Sequence, residues 1–275
     1  MKLFRSFFLC SVLFSLNVGL QAQDLFDESH SRQFANYLFS NGEYEFAARE
    51  FLRLFIVAPE EEEYSTKLAR SLFLSKQYSI LATTFRNSFK EKEIPCHLQK
   101  LYTKSLILTS THTDVSSHLQ TNPCWSSEEK SYYVLANDLL HFKFPEAITT
   151  YHSASVNSGR EAFSAVIHKI ENAHYKKPWT SALLSAIFPG SGKAYCGYWK
   201  DGLFSFIMIG LSGWQAYSGF TKKGVSSVYG WINSSLALAF YSGNIYGSIK
   251  AAHQYNYTIN HEIYHHAEQI LLLPD

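Results

Sequence analysis

The sequence has no excess of charge of either sign, and this absence limits the partners it can have. Its 275 residues include 24 Lys or Arg and 23 Asp or Glu, which gives a formal net charge of +1. The cationic residues are scattered through both halves of the chain and form no basic stripe. A nucleic-acid interface needs such a stripe to neutralise phosphates, so we expect no nucleic-acid partner.

Cysteine is scarce, and its spacing excludes two kinds of chemistry. The four cysteines are Cys10, Cys96, Cys124 and Cys196, and no two of them form a CxxC pair. Redox catalysis and a cysteine zinc site are therefore both disfavoured. In an exported chain, Cys96 and Cys124 could form a disulfide. Two separate buried thiols are an equally good interpretation, and the sequence leaves this choice open.

A complete nucleotide-binding loop is also missing, although GSGK at 190–193 resembles part of one. The phosphate-binding loop requires a glycine five residues before the Gly-Lys pair and Ser or Thr directly after the lysine. This chain has Ile187 and Ala194 at those two positions. The sequence therefore predicts no bound nucleotide, and it shows no other cofactor motif.

The N-terminus has the pattern of an export signal. Lys2 and Arg5 form a short basic region, residues 6–20 form an apolar core, and Ala22 is a small residue suited to cleavage before Gln23. We predict a signal peptide over 1–22. An uncleaved anchor helix is the alternative, and in either case the following domain leaves the cytoplasm.

Residues 34–59 match the pattern of one tetratricopeptide repeat, which is a pair of antiparallel helices of 34 residues. The matching positions are Ala35, Leu38, Gly42, Tyr44, Ala47, Phe51 and Pro59. An offset of 34 residues gives a second copy at Ala69, Leu72, Tyr78, Leu81 and Phe85. Weaker copies follow at Leu106, His112, Val115 and Leu119, and at Phe144, Ala147 and Tyr151.

A helix over 159–175 has Phe163, Val166, Ile167 and Ile170 on one face and would cap the stack. We therefore predict an all-α fold with a tetratricopeptide-like helical repeat domain over 24–175. An irregular helical bundle is the alternative. Because such stacks bind partners in a concave groove, we predict partner-binding positions on the first helices of copies one and two, at Arg32, Asn36 and Arg70.

The composition changes after residue 178. Residues 202–220 and 225–249 carry no charge, and both stretches are about as long as the roughly 20 residues that a membrane-spanning helix needs. We predict a membrane module over 179–250, with transmembrane helices at 202–220 and 225–249. Residues 179–201 would form a re-entrant or interfacial segment before them. A soluble hydrophobic hairpin is the alternative.

Small residues recur every four positions in the second of these segments, at Ser235, Ala239, Gly243 and Gly247. Such a stripe lets another helix backbone approach closely. We expect Gly210 and Gly213 of the first segment to pack against it.

The glycine-rich motif of this region resembles a known family. The residues that carry the resemblance are Pro189, Gly190, Gly192, Tyr195, Gly197, Gly202, Gly243, Asn244 and Gly247. They are similar to the C-terminal PGxG-containing two-transmembrane-helix module of uncharacterised bacterial envelope proteins that carry tetratricopeptide-like repeats in front. A small two-helix membrane domain with a glycine-rich loop is similar more distantly. The resemblance implies an architecture and no catalytic residues.

One motif near the C-terminus raises an enzymatic alternative. HEIYH at 261–265 contains the zinc-peptidase pattern, in which two histidines bind zinc and a glutamate activates water. The residues would be His261, Glu262 and His265. A catalytic zinc needs a third protein ligand, and the few residues that follow do not offer one easily. We therefore interpret 251–275 as an amphipathic tail with no metal site.

Together these patterns predict a non-enzymatic envelope scaffold without a cofactor. The repeats would face the periplasm and bind an envelope or membrane protein, and the hairpin would lie in the lipid bilayer of the inner membrane. A membrane-bound zinc metallopeptidase is one alternative. A small transport or channel subunit is another, based on Asn233 and Asn244.

Overall fold

The computed structural model of the chain describes residues 27–89, 94–153 and 158–273. Every regular element within these ranges is helical, which confirms the predicted all-α class. The predicted signal peptide at 1–22 lies outside the described residues. The chain divides into two compact units, Met1–Thr109 and Ser110–Asp275, and each has its own buried core.

The first unit contains five helices within its described residues. They are α1 (Glu28–Ser40), α2 (Tyr44–Val57), α3 (Glu62–Leu74), α4 (Tyr78–Ser88) and α5 (Cys96–Thr109). Helices α1, α3 and α5 begin at residues 28, 62 and 96, so each interval is 34 residues, and the same interval separates the starts of α2 and α4. The period that the sequence pattern predicts is therefore present in the helix boundaries.

The core of this unit contains most of the residues that the pattern singles out. The buried ones are Ala35, Ala47, Phe51, Ala69, Leu72, Leu81 and Phe85, while Leu38 and Tyr44 are half-buried. Neighbouring helices pack in chain order, and α3 also packs against α5. Small residues where α1 and α2 cross let two helices that are too short to be stable alone bury one apolar face against another.

The turns inside the helix pairs use the left-handed backbone conformation at equivalent positions. Gly42 follows α1 with φ of 79°, and Lys76, 34 residues later, follows α3 with φ of 59°. Glycine adopts this conformation without steric cost, whereas a lysine does not. The second turn therefore keeps the geometry of the first with a less suitable residue.

The second unit begins with helices α6 (His112–Thr121), α7 (Ser127–Leu140), α8 (Phe144–Ser153), α9 (Ser158–Glu161) and α10 (Ser164–Glu171). Ser126 and Glu129 form a capping box that satisfies two backbone N–H groups at the start of α7. The predicted apolar positions of the last two copies, Val115, Leu119 and Ala147, are buried. The predicted capping face is buried as well, at Phe163, Val166, Ile167 and Ile170.

The rest of the second unit consists of α11 (Pro178–Ile187), α12 (Ser191–Tyr195), α13 (Trp199–Lys223), a 3₁₀ turn (Gly224–Ser226) and α14 (Val228–Leu272). Helix α14 is continuous over 45 residues, a length of roughly 68 Å at 1.5 Å per residue. Its first half packs against α11 and α13, and its second half packs against α7 and α10. The segment predicted as a tail at 251–275 thus continues this helix through Leu272, and it buries Ile263, Ala267, Ile270 and Leu271.

Across the ranges that the structure describes, no helix is both long enough and apolar enough to cross a membrane. The prediction of transmembrane helices at 202–220 and 225–249 is therefore not supported, although both segments are helical. The physical reason lies in their composition. Ser, Gly and Asn recur through both segments and lower the mean hydropathy of each helix.

The structure also decides between the two interpretations of the cysteines. Cys96 and Cys124 are disulfide-bonded, while Cys196 is a buried free thiol. The interpretation of Cys96 and Cys124 as separate buried thiols is therefore wrong.

Candidate functional site

The turn between α11 and α13 holds the glycine-rich motif. Helix α11 ends at Ile187, two residues before Pro189, because a proline disfavours helical backbone in the residue before it and lacks an N–H of its own. Gly190 and Gly197 then adopt φ of 89° and 88°. These two left-handed residues reverse the chain before and after the single turn of helix in α12, so the motif is a structural turn.

Two glycines of the motif let backbone segments approach closer than a side chain would permit. A Cβ on Gly190 would lie 2.1 Å from the carbonyl oxygen of Gly202, at the start of α13. A Cβ on Gly192 would lie 1.9 Å from the carbonyl oxygen of Ser181, in α11. Glycine is thus required at both positions for steric reasons. The motif fixes α11, α12 and α13 at short range.

A network of buried hydrogen bonds joins the same turn to α14. The Oδ1 atom of Asn244 accepts from the N–H of Gly190 at 3.1 Å, and its Nδ2 donates to the carbonyl of Ser185 at 3.2 Å. Ser181 Oγ lies 2.8 Å from the carbonyl oxygen of Ser248, and the hydroxyls of Ser185 and Ser248 are 2.5 Å apart. Buried polar groups are costly unless they are paired, so this network determines how α11 and α14 pack.

Two N–H groups of the GSGK loop donate to side chains of this network. The N–H of Gly190 donates to Asn244, and that of Gly192 donates to Ser185 Oγ at 3.0 Å. A nucleotide-binding loop must keep such groups free to wrap phosphates. In this structure the N–H groups of Gly190 and Gly192 are therefore not free to bind a phosphate.

The structure brings together only part of the predicted motif. Gly190, Gly192 and Asn244 belong to the network. Gly202 lies against Gly190, and Gly247 faces the side chain of Lys193. Gly197 and Gly243 have open space where a Cβ would lie. The remaining two motif residues are half-buried, Pro189 in the turn and Tyr195 beneath the ammonium of Lys176.

Sequence reasoning missed the serines of the network, Ser181, Ser185 and Ser248. A signal for them was present, because Ser181 and Ser185 lie four residues apart on α11, as do Asn244 and Ser248 on α14. Polar residues at that spacing share one helix face. Two such faces in otherwise apolar helices are expected to pair.

The predicted small-residue stripe on α14 is not the helix interface. Ser235, Ala239 and Gly243 are exposed, and Gly210 and Gly213 of α13 have no neighbour within 4 Å of a Cβ position. The close approach occurs instead at the tip of the hairpin. A Cβ on Gly219 would lie 2.8 Å from the backbone of Gly230.

The hairpin of α13 and the first half of α14 has inverted polarity. Its buried residues are small or polar, and they include Ser205, Ser212, Asn233 and Asn244. Its outer surface is apolar, with Trp214 exposed by 70% and with the further exposed side chains Leu203, Phe204, Phe206, Ile207, Leu211, Val228, Trp231, Ile232, Leu236 and Leu238. Exposed apolar surfaces of this extent mark sites of protein or membrane interaction.

The histidine motif lies in the second half of α14, where His261, Glu262 and His265 each have a hydrogen-bond partner. The Nε2 atoms of His261 and His265 are 3.1 Å apart, and Nδ1 of His265 lies 3.2 Å from Glu268. The Glu262 carboxylate accepts a hydrogen bond from Lys169 of α10, which lowers the pKa of Glu262 and makes it a weaker base. Within the described ranges, no group of three or more His, Cys, Asp or Glu side chains could hold a metal.

The predicted partner-binding residues lie on the first helices of the first unit. Arg32 and Arg70 are exposed, and Asn36 is half-buried. The guanidinium of Arg70 lies 5.4 Å from the ring centroid of Phe39, and Lys67 Nζ lies 4.6 Å from the same ring. Because Arg32, Lys67 and Arg70 take part in none of the ion pairs between described residues, their charges are available to a partner.

A buried tyrosine, Tyr64, lies near these cations and pairs with Glu28. Tyr64 Oη donates to the Glu28 carboxylate at 2.6 Å. Burial and this hydrogen bond raise the pKa of Tyr64 to about 12, against the opposing charge of Arg32. The phenol therefore stays protonated at neutral pH and keeps Glu28 paired.

A second buried polar group lies in the other unit. Asp138 of α7 accepts a hydrogen bond at 2.6 Å from Nε2 of His112, in α6, and lies 3.4 Å from Thr150 Oγ1, in α8. Burial raises the pKa of this carboxyl, although the hydrogen bonds from His112 and Thr150 oppose the shift. Asp138, His112 and Thr150 thus join three helices, and the His112 ring also packs edge-on against His141.

Comparison with known protein families, curated proteins and solved structures found no match for this chain.

Proposed function

We propose that this protein is a non-enzymatic envelope scaffold. In this proposal tetratricopeptide-like helical repeats bind a partner protein, and the apolar hairpin of α13 and α14 anchors the chain at the inner membrane with the repeats on the periplasmic side. The observation that carries the proposal is the inverted polarity of the hairpin, which buries Asn233 and Asn244 and exposes Trp214 and Leu238. A surface of that kind is stable only against lipid or another apolar surface.

The distribution of exposed side chains on the hairpin favours lipid over a protein partner as the surroundings of its apolar surface. Exposed apolar side chains occur on successive turns of α13, from Leu203 to Tyr217, and along α14, from Val228 to Phe240. Trp199 and Tyr246 lie at the end of the hairpin near the polar turn, and Tyr229 and Trp231 lie at its tip. Aromatic side chains at both ends of an apolar stretch match the preference of Trp and Tyr for membrane interfaces.

The helix boundaries support the repeat part of the proposal. Three first helices begin at 34-residue intervals, which is the length of a tetratricopeptide repeat. Arrays of such helix pairs present extended surfaces for partner binding. Arg32, Lys67 and Arg70, which form no ion pair with another described residue, would complement a partner segment that carries carboxylates.

Membrane anchorage is tested by charging the outer surface of the hairpin. Leu211 and Leu238 are exposed and lie near the middle of the hairpin, so Leu211→Lys with Leu238→Lys should preserve the fold. Each lysine costs about 2.5–3.5 kcal/mol at the centre of a bilayer. In cell fractionation and vesicle flotation of the full chain, we expect the native protein in the membrane fraction and the double variant largely outside it.

Thr221→Lys, at the end of the hairpin beside Lys222 and Lys223, is the matched control and should stay with the membrane. Equal membrane association of the native protein and the double variant would contradict anchorage through this surface. Recovery of the native chain only in the soluble fraction would contradict it as well.

Partner binding is tested by reversing two charges. Arg32→Glu with Arg70→Glu should abolish crosslinks between the first unit and its partner in intact cells, because attraction to carboxylates becomes repulsion. Arg86→Glu changes an exposed arginine on α4, a second helix of a pair, and should leave those crosslinks in place. Loss of the crosslinks in the control, or their retention in the double variant, would place the binding surface elsewhere.

A further inference from the structure

A cavity opens beside the glycine-rich turn, between α12, the start of α13 and the middle of α14. Its volume is about 350 Å³, at the lower end of the roughly 300–1,000 Å³ typical of small-molecule sites. The side chains that define its chemistry are Lys193, Tyr198, Asp201, Phe204, Lys250 and Gln254. Two ammonium groups, a phenol, an amide and one carboxylate thus share one small cavity with an aromatic ring.

Lys193 is held in this cavity by its surroundings. Its Nζ donates to Ser205 Oγ at 2.8 Å, and Ser205 is buried in α13. A Cβ on Gly247 would lie 3.1 Å from Lys193 Cε, so the missing side chain at Gly247 makes room for the lysine. The lysine is half-buried, and an ammonium in that position is less screened by solvent than one at the surface.

The positive charge in the cavity is only partly balanced by the residues that the structure describes. Neither Lys193 nor Lys250 belongs to an ion pair between residues that the structure describes. Asp201 is the single carboxylate among the lining residues, so the lining carries a net positive charge at neutral pH. A ligand with negative charge is therefore favoured, and Asp201 would accept from a hydroxyl or amine elsewhere on that ligand.

The apolar side of the cavity indicates an ester rather than a bare anion. Phe204 lines the cavity and is also 65% exposed on the outer surface of α13. The cavity therefore continues into the apolar surface of the hairpin. A ligand with an anionic head and an apolar body can occupy both at once, as phospholipids do in basic pockets beside membrane helices.

We propose that this cavity binds a phosphate ester through Lys193 and Lys250, with its organic part against Phe204. The required chemistry is that of a phospholipid headgroup or of a soluble phosphorylated molecule, and the hairpin surface favours the lipid. The lipid form rests on the proposed membrane anchorage. Binding of a soluble phosphate ester does not, so the two proposals can fail separately.

The test uses the full chain with two probes, namely glycerol 3-phosphate for the detergent-purified protein and vesicles of phosphatidylcholine with or without phosphatidylglycerol. Each ammonium near a phosphate is worth about 1 kcal/mol, which is about fivefold in affinity. Lys250→Gln should therefore weaken binding about fivefold. Lys223→Gln, which removes a lysine outside the cavity, is the matched control and should bind as the native protein does.

Helical content and thermal unfolding, measured on each variant, show that the folds are equal. A Lys250-dependent preference for phosphatidylglycerol vesicles, with weak glycerol 3-phosphate binding, supports the lipid headgroup. Lys250-dependent binding of glycerol 3-phosphate with no preference between vesicles supports a soluble ester. The proposal is overturned if neither probe depends on Lys250, or if Lys223→Gln weakens binding as much as Lys250→Gln does.

Discussion

At the scale of single residues, the polar groups inside the second unit define its packing. Asp138 is almost fully buried and joins α7 to His112 of α6. Asn244 joins α14 to Gly190 and Ser185 in the same way. A buried polar group that loses its partner costs about 1–3 kcal/mol, so both residues select one arrangement of helices among several that apolar contacts alone would allow.

Asp138 also makes stability depend on pH in a direction that can be measured. Burial raises the pKa of its carboxyl above the ordinary value of 3.8. At a pH between the unfolded pKa and the folded pKa, the folded chain therefore holds a proton that the unfolded chain releases. This contribution is complete below the unfolded pKa and is lost as the pH rises through the folded one. We expect the stability of the native protein relative to Asp138→Asn to decrease as the pH rises from 4 towards 7.

Urea unfolding of the full chain in detergent at several pH values measures this difference. Glu128→Gln, which removes an exposed carboxylate from the start of the same helix, is the matched control. A constant difference for Asp138→Asn would show that this carboxyl has the same pKa in the folded and unfolded states.

At the scale of elements, some turns and helix contacts require glycine, whereas at other positions glycine can be replaced. Gly190 combines a left-handed backbone with the approach of Gly202, whereas Gly243 lies in the interior of α14 with open space around it. The same residue type therefore has opposite energetic consequences at two positions of one motif.

Gly190→Ala should destabilise the protein by about 2–5 kcal/mol, because left-handed strain adds to the overlap with Gly202. Gly243→Ala should have no cost or should stabilise α14 by up to about 1 kcal/mol, since alanine has a higher helix propensity than glycine. Thermal unfolding of the two variants, followed by circular dichroism, measures the difference. Equal stability of the two variants would mean that the turn does not hold α13 at short range.

At the scale of the whole molecule, the chain has two compact units with separate cores. Phe51 and Phe85 lie in the core of Met1–Thr109, while Phe163 and Ile263 lie in the core of Ser110–Asp275. Proteins open in cooperative units of structure, and amide exchange reports the stability of each unit. We therefore expect each core to set the exchange rates of its own unit.

Phe51→Ala should therefore act within one unit. The fully buried ring is worth about 3–5 kcal/mol when removed, and we expect faster amide exchange across α1 to α5 with little change across α7, α10 and α14. Hydrogen–deuterium exchange with mass spectrometry measures both regions at once. Phe46→Ala is the control, because Phe46 lies on the same helix but is exposed.

Equally accelerated exchange in both units of Phe51→Ala would show that the two cores unfold together. No acceleration in either unit would show that the ring is not a core residue. Accelerated exchange in the Phe46→Ala control would attribute the effect to α2 itself and not to its buried face.

What the sequence by itself determined is mainly local. The repeat positions Ala35, Ala47 and Phe51 follow from the spacing of small and apolar residues along a helix, and that spacing is a property of neighbouring residues. The end of α11 before Pro189 is local in the same sense, because the ring removes an N–H and restricts the preceding residue. Such features are visible without knowing what packs against them.

Only the tertiary structure decided which faces meet. The small-residue stripe at Ser235 and Ala239 has the right period for an interface, yet it faces outward, because the polar face at Asn244 and Ser248 finds partners in α11. The continuation of α14 to Leu272 depends on burial of Ile263 and Leu271 against α7 and α10. These contacts join residues far apart in the chain, and the energy of burial that selects among the faces depends on the partner surface as well as on the sequence of the helix itself.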